Sequence, residues 1–197
     1  LADYLDEDNV NGSGVMETFY LVSEQTSGTE GMNANRGYFI DEFSQLNTSW
    51  QFVTGTWGIQ SGAITQSNES ISNSNIYAPL NQNLSDIYVY QFDLKIDGSG
   101  NNRRGGFHYF CDQPTLTNRG NSYFIWFRLE QQTLEFYKVT NDTFSQEKVV
   151  PVPIAGGNWY DITLVYNKIT GLHRVYMNNQ LAGTWTDPFP IQQGGYI

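Results

Sequence analysis

The sequence has little charge, few basic residues and almost no cysteine or histidine. Only 15% of its 197 residues are charged, and 10 Lys and Arg stand against 20 Asp and Glu. The single cysteine, Cys111, excludes an intramolecular disulfide scaffold. With only two histidines, His108 and His173, the chain also has no zinc-ligand cluster. No run of about 20 apolar residues occurs, so we predict no membrane insertion.

The net charge of −10 argues against nucleic acid and anionic lipid as partners, because both require basic patches. Most of this charge lies near the start of the chain. Residues 1–30 hold seven acids and no base, which leaves 13 acids against 10 bases in the rest, a net of −3. The acidic charge therefore does not by itself exclude an acidic polysaccharide as a ligand of the remaining residues.

The chain divides into two regions by composition. We interpret residues 1–36 as an acidic linker and the tail of a preceding domain, because Gly, Asn, Ser and Thr dominate their turns. Residues 37–197 form the second region, a single globular domain. The chain begins without an initiator Met or a basic leader, so we expect a fragment of a longer precursor.

Aromatic residues and turn clusters dominate the second region. The chain contains 12 Phe, 13 Tyr and 5 Trp, and no window of a dozen residues keeps a helical period. The pattern predicts twelve short strands, at 38–43, 50–58, 63–67, 74–80, 86–96, 105–111, 122–130, 133–139, 147–150, 158–166, 172–178 and 181–185. Without alternating helices, this pattern predicts an all-β fold, an antiparallel sandwich or barrel.

Residues 123–130 alternate between two kinds of face. One face carries Tyr123, Ile125, Phe127 and Leu129, and the other carries Phe124, Trp126, Arg128 and Glu130. We expect one face to pack against a second sheet and the other to form the wall of a groove. The alternative is that the outer aromatics are only strand formers covered by loops.

Three segments resemble the concanavalin A-like lectin and glucanase jelly roll. The first runs from Ile40-Asp41-Glu42-Phe43 through Trp50 to Gly55-Thr56-Trp57-Gly58-Ile59. The second, Trp159 to Leu181, is similar to a hairpin of laminin-G-like and pentraxin-like sandwiches, with Asn179 in place of the usual Gly. The resemblance implies a two-sheet antiparallel β-sandwich over residues 37–197.

The third segment, residues 101–124, resembles the lectin-like module appended to large secreted proteins of Bacteroidetes-type bacteria, some labelled xanthan lyase or golvesin-like. Such modules end with a strand that returns beside the first one. Here the chain stops at Gly194–Ile197, where that strand is expected to begin, so a final strand is expected to be missing. Residues 15–22 are the alternative partner for that edge.

The resemblance implies a carbohydrate-binding surface of aromatic and polar side chains. Sugar C–H faces pack on aromatic rings, while hydroxyls hydrogen-bond at the ring edges. Arg119 is predicted either to clamp the carboxylate of an acidic sugar or to pair with Asp112 and lock the loop 112–121. The candidate binding residues are Trp126, Arg119, Tyr123, Tyr109, His108, Asp112, Asn121 and Arg128, with Tyr137 and Asn118 as further candidates.

No catalytic motif stands out. The Glu-x-Asp-x-x-Glu arrangement of glucanases is absent, and the nearest carboxylate pairs are Asp93 with Asp97 and Glu130 with Glu135. No Gly-x-Ser-x-Gly elbow occurs on a strand-to-helix turn. Calcium is the one ion that the resemblance implies, with Asp41 and Glu42 as half of a rim site.

The sequence therefore predicts a non-catalytic carbohydrate-binding module of a larger secreted, periplasmic or cell-surface protein. We expect the isolated domain to be a monomer whose partner is a polysaccharide or glycan, and the parent protein is a candidate polysaccharide-degrading enzyme. The alternative is a structural or adhesive spacer, or a protein-interaction domain, without a sugar ligand. A glycan hydrolase or lyase comes third.

Overall fold

The computed structural model describes residues 31–33 and 38–197. These residues form no helix, and so none that is long and apolar enough to cross a membrane. Their strands are β1 (Gly31–Asn33), β2 (Tyr38–Ile40), β3 (Gln51–Thr54), β4 (Trp57–Gln60), β5 (Ala63–Gln66), β6 (Asn75–Tyr77), β7 (Ile87–Lys95), β8 (Arg104–Tyr109), β9 (Ser122–Arg128), β10 (Thr133–Thr140), β11 (Thr143–Pro151), β12 (Trp159–Asn167), β13 (Leu172–Met177) and β14 (Gln180–Thr186).

Two antiparallel four-stranded sheets form the body of the sandwich. Sheet A has the order β11-β10-β9-β8, and sheet B has the order β14-β13-β12-β7. The core lies between them and contains residues from both sheets, such as Ile125 and Phe127 from β9 and Ile162 and Leu164 from β12. Three two-stranded ladders, β1-β2, β3-β6 and β4-β5, complete the described structure.

Each of the twelve predicted strands overlaps an observed one. Residues 50–58 form two strands instead of one, because Gly55 adopts a φ of 105° between them. Residues 147–150 belong to the longer strand β11. Gly31–Asn33 lies in the segment that we predicted to be linker, yet it pairs with β2. Residues 15–22 lie outside the described residues.

The last residues of the chain pair on both sides. Tyr196 forms bridges to Pro79 and to Cys111, and Ala78 and Ile197 exchange two backbone hydrogen bonds of 3.0 Å. This segment, where we expected a final strand only to begin, thus joins the segment before β7 to the end of β8.

The buried amide of Gln82 organises this junction. Its Oε1 accepts hydrogen bonds from the Phe110 amide at 2.9 Å and from the Tyr90 hydroxyl, and its Nε2 donates to the Tyr196 carbonyl at 2.9 Å. Gln82 is completely buried. Because the Phe110 amide and the Tyr90 hydroxyl are also buried, these two bonds replace hydration that the site cannot supply.

The core also contains a buried polar chain. The Tyr123 hydroxyl donates to Asp187 at 2.6 Å, and Asp187 pairs with Lys138 Nζ at 2.6 Å. His173 Nδ1 lies 2.6 Å from the Tyr109 hydroxyl, and the imidazole ring stacks between Tyr166 and Trp185 at 4.4 and 4.6 Å. Burial lowers the pKa of His173 to about 3.

We expect the free energy of unfolding to fall as the pH drops from about 6.5. Unfolded histidines bind a proton near pH 6.5, whereas burial keeps both His173 and His108 neutral in the fold. Each histidine whose pKa is lowered this far should reduce the free energy of unfolding by about 1.4 kcal/mol for each pH unit below about 6.5. Urea unfolding at several pH values between 6 and 4.5 measures the free energy of unfolding. In His173→Phe this free energy should fall with decreasing pH clearly less steeply than in the wild type. An unchanged slope would show that His173 is protonated in the fold.

Gln82→Leu should destabilise the fold by about 3 kcal/mol. The variant keeps the approximate size of the side chain but leaves the Phe110 amide and the Tyr90 hydroxyl without their partner, whereas the Tyr196 carbonyl keeps its hydrogen bond from the Cys111 amide. Urea unfolding measures the change. Gln91→Leu, at an exposed position of β7, is the control and should change stability by less than about 0.5 kcal/mol. Equal effects of the two substitutions would refute the role of Gln82.

Candidate functional site

The outer face of sheet A gathers aromatic and charged side chains at the middle of the sheet. Because successive residues of a strand point to opposite sides, β9 directs Phe124, Trp126 and Arg128 outward when Ile125 and Phe127 enter the core. In the register of the sheet, Arg104 lies opposite Arg128, and Glu135 lies opposite Trp126. We call Arg104, Trp126, Arg128, Glu135 and Tyr137 the arginine–tryptophan cluster.

Two guanidinium groups lie over the Trp126 ring. The central carbon of Arg104 is 4.8 Å from the ring centroid, and that of Arg128 is 5.1 Å away. Such cation–π contacts favour fixed positions for both side chains. The indole therefore supports both arginines, and each guanidinium group covers part of the ring.

Gly106 makes room for this indole. A Cβ at this position would lie 2.0 Å from the Ile125 carbonyl oxygen and 2.5 Å from Trp126 Cδ1. No side chain fits there without moving β9 or the indole. The close approach of Trp126 to β8 therefore depends on a glycine at the cross-strand position.

Glu135 ties the cluster together. Its carboxylate accepts hydrogen bonds from Arg128 Nε at 2.8 Å, from Gln146 Nε2 at 3.0 Å and from the Tyr137 hydroxyl. Burial alone would raise the pKa of Glu135, but the hydrogen bonds from Tyr137 and Arg128 hold it below its ordinary value. Glu135 thus stays ionised and neutralises Arg128.

A small apolar cluster supports the other end of this face. Phe124, Tyr137 and Val139 are buried there, and Trp126 packs against them. The Phe124 and Tyr137 rings stack 4.4 Å apart, and His108 stacks on Phe124 at 4.5 Å. Burial, with the nearby charge of Arg119, lowers the pKa of His108 well below its ordinary value. His108 is a neutral, packed side chain of this face.

Two predicted binding residues are in the wrong place for that role. Tyr109 and Tyr123 are 1% and 0% exposed and lie between the sheets, where their hydroxyls bond to His173 and Asp187. No sugar can stack on either ring. Tyr123 lies two residues before Ile125 on β9 and therefore points to the same side, toward the core. It cannot share the outer face with Trp126.

Arg119 adopts neither of its two predicted roles. Its side chain is 8% exposed, and NH1 donates to Asn73 Oδ1 at 2.8 Å and to the Thr117 carbonyl at 3.0 Å. Asp112 is not its partner, because that carboxylate accepts from the backbone and side chain of Asn121 at 2.7 and 2.8 Å. Asn118 bonds to Asp142. These residues fix the loop 112–121.

The predicted calcium ligands, Asp41 and Glu42, lie directly after β2. Both oxygens of Asp41 accept hydrogen bonds at 2.8 Å, one from the Phe43 amide and one from the Trp50 indole. Glu42 is exposed. Within residues 31–33 and 38–197, no three His, Cys, Asp or Glu side chains come together as a metal site would require. Calcium binding stays a prediction.

The sequence reasoning did not assign Arg104, Glu135 or Gln146 to the site. The alternation of side chains along a strand could have identified Arg104, because it precedes His108 by four residues and therefore lies on the same face. The positions of Glu135 and Gln146 depend on the register of β10 against β9 and β11. That register is a long-range property that no local pattern specifies.

The outer face of sheet B is different. Trp159 is 53% exposed with Lys95 Nζ 5.3 Å from its ring centroid. Asp93 and Asp161 lie directly opposite each other, beside a shallow open depression lined also by Gln91 and Phe92. No carboxylate there is paired with an arginine among the described residues.

Solved structures of low sequence identity share this fold. The carbohydrate-binding module CBM66 from Bacillus subtilis superposes with a TM-score of 0.62 at 17% identity, over 76% of this chain and 85% of that one. The potassium-bound carbohydrate recognition domain of Emp46p gives 0.61 at 12% identity, with coverages of 83% and 88%. A prokaryotic β-1,3-1,4-glucanase (lichenase) derived from a mouse hindgut metagenome gives 0.53 at 13% identity, with coverages of 79% and 81%.

No family model matches the chain, and no curated protein matches it. The predicted fold class is confirmed by the strands and by these superpositions: the chain is an antiparallel sandwich of the concanavalin A-like type.

Proposed function

We propose that this chain is a non-catalytic carbohydrate-binding module that holds a glycan on the outer face of sheet A. The observation that carries the proposal is the arginine–tryptophan cluster, in which a buried carboxylate and an indole fix two guanidinium groups at the surface. Fixed donors lower the entropy lost when a flexible, hydroxyl-rich ligand binds. The shared fold with a carbohydrate-binding module and a carbohydrate recognition domain supports the proposal.

Contact in this site is mainly through polar groups. Because the guanidinium groups of Arg104 and Arg128 share the surface of the Trp126 ring, the ring supports them and presents its remaining edge to the ligand. Gln146 is exposed and adds an amide beside Glu135. The sequence predicted instead a groove wall on which sugar rings stack against aromatic side chains.

The carboxylates of this face are poorly suited to hydrolysis. A general acid for glycoside cleavage needs a raised pKa, so that it is protonated when it acts. The hydrogen bond from Arg103 and the bonds around Glu135 lower the pKa values of Glu130 and Glu135 instead. Incubation of the protein with a panel of polysaccharides should release neither reducing ends nor unsaturated products. Release of either would overturn the non-catalytic proposal.

The proposed biological setting follows from the sequence. A module of this kind, as in the secreted Bacteroidetes proteins that it resembles, would act outside the cytoplasm and bring an attached protein to a polysaccharide. The spacer alternative predicts no glycan binding at all, so the binding experiment below also separates these two functions.

Trp126→Ala should weaken glycan binding by at least about tenfold, because both arginines lose their support. A glycan array identifies ligands, and isothermal titration measures the affinity. Trp159→Ala is the matched control, since it removes a tryptophan with an adjacent cation from the outer face of sheet B. Affinity should be unchanged in this control.

Thermal unfolding checks that both variants fold, and Trp126→Phe tests the site with a smaller ring. Loss of binding in Trp159→Ala alone would place the site on sheet B. Absence of binding by the wild type to every glycan would favour the spacer.

A further inference from the structure

We propose that the ligand of this face is an acidic glycan whose carboxylate is bound by Arg104. The inference rests on the proposed function and specifies its substrate class. It follows from the positions of the charged groups on sheet A, from the support under Arg104 and from the donors that this guanidinium leaves unused.

Within the described part of the chain, Arg104 has no carboxylate partner of the kind that the neighbouring cations have. Arg128 is paired with Glu135 at 2.8 Å and Arg103 with Glu130 at 2.7 Å. No Asp or Glu among the described residues lies within 4.0 Å of the Arg104 guanidinium. Its guanidinium donates one hydrogen bond to the residues that the structure describes, and this bond is long, 3.5 Å from NH2 to the Ser72 carbonyl oxygen.

A second positive charge, that of Arg128, lies beside Arg104 and repels it. Arg104 lies directly opposite Arg128, and both guanidinium groups lie over the same indole. Partial burial and the repulsion from Arg128 both lower the pKa of Arg104. The cluster contains two cations and one anion, so it retains a net positive charge in a protein whose overall charge is −10.

The geometry suits a carboxylate better than a hydroxyl. A guanidinium presents five N–H donors in a plane and binds both oxygens of a carboxylate in parallel. Trp126 supports Arg104, and the absence of a Cβ at Gly106 leaves the space that the indole occupies. A hydroxyl would satisfy one donor, whereas a carboxylate would satisfy two and would also cancel the excess charge.

Arg119 adds positive charge at the opposite end of the same face. It has no carboxylate partner among the described residues, its buried Nε has no acceptor, and its charge is felt at His108. His108 follows Arg104 by four residues on β8, about 13 Å along the strand. The carboxylates of Asp112 and Asp142 lie at the same loop and offset the charge of Arg119, so the positive charge of this face is concentrated at Arg104 and Arg128.

The test compares acidic polymers with their neutral counterparts. We would measure binding of the full chain to polygalacturonate and to alginate, each beside the same polymer after chemical reduction of its carboxyl groups. The expected result is at least tenfold tighter binding to one of the acidic polymers. Arg104→Gln should weaken binding to the acidic polymer by at least tenfold and binding to the reduced polymer by a much smaller factor, so that the preference for the acidic polymer is lost. Equal affinity for acidic and reduced polymers would overturn the inference.

The neighbouring residue supplies the control. Arg103→Gln removes an equal charge one residue away but from a side chain already paired with Glu130, and it should change the affinity by less than twofold. Arg104→Lys keeps the charge without the planar fork and should restore only part of the affinity. An equal loss in Arg103→Gln and Arg104→Gln would show a general charge effect and refute the assignment to Arg104.

Further outcomes separate this inference from the proposed function. If reduced and acidic polymers bind equally and Trp126→Ala loses both, the site on sheet A is supported and recognition of a carboxylate is refuted. Equal binding of dextran sulfate, equally dependent on Arg104, would also overturn the carboxylate in favour of a general anion site. No binding to any polymer would overturn both proposals.

Discussion

The alternation of side chains along β9 is the constraint on which the rest of the structure depends. This strand is paired on both sides, with β8 and β10, so its register is fixed by two ladders. Ile125 and Phe127 enter the core while Trp126 and Arg128 face outward. A slip by one residue would exchange these sets, burying a guanidinium and exposing the core aromatics. The register of β9 therefore determines both the core on one side of sheet A and the candidate site on the other.

The buried hydroxyls show how this core includes polar groups. Tyrosine rings fill the space between the sheets, and their hydroxyls need partners there. Asp187 provides one for Tyr123, His173 provides one for Tyr109, and the Ile191 carbonyl provides one for Tyr166. Lys138 completes the chain of contacts by neutralising Asp187. The segment after β14 is thus fixed to sheet A through polar bonds inside an otherwise apolar core.

Local patterns were sufficient to predict the fold class and the position of nearly every strand. The two faces of β9 were also readable, because alternation is a property of neighbouring residues. The site was predicted less well. Tyr109 and Tyr123 were chosen for their chemistry although Tyr123 has the wrong parity for the face of Trp126, and both are buried.

Arg104 and Glu135 show what the sequence could not provide. Arg104 meets Arg128, and Glu135 meets Trp126, only through the pairing of strands distant along the chain. Arg119 was expected to meet a ligand or Asp112, but the loop around Asn73, far earlier in the sequence, supplies its partner. Charge pairing across strands depends on register and loop placement, and these are set by tertiary packing.

Sheet A separates two apolar clusters. The interior cluster contains Ile125 and Phe127, and the outer one contains Phe124 and Tyr137 on the opposite side of the same strands. Because this outer cluster is separate from the core, substitutions of the more exposed side chains beside it, such as Arg104 and Arg128, can alter charge and shape without disturbing the packing between the sheets. Selection can therefore change what the surface recognises while the scaffold is retained, and this independence makes the outer face of sheet A a natural place to engineer new specificity.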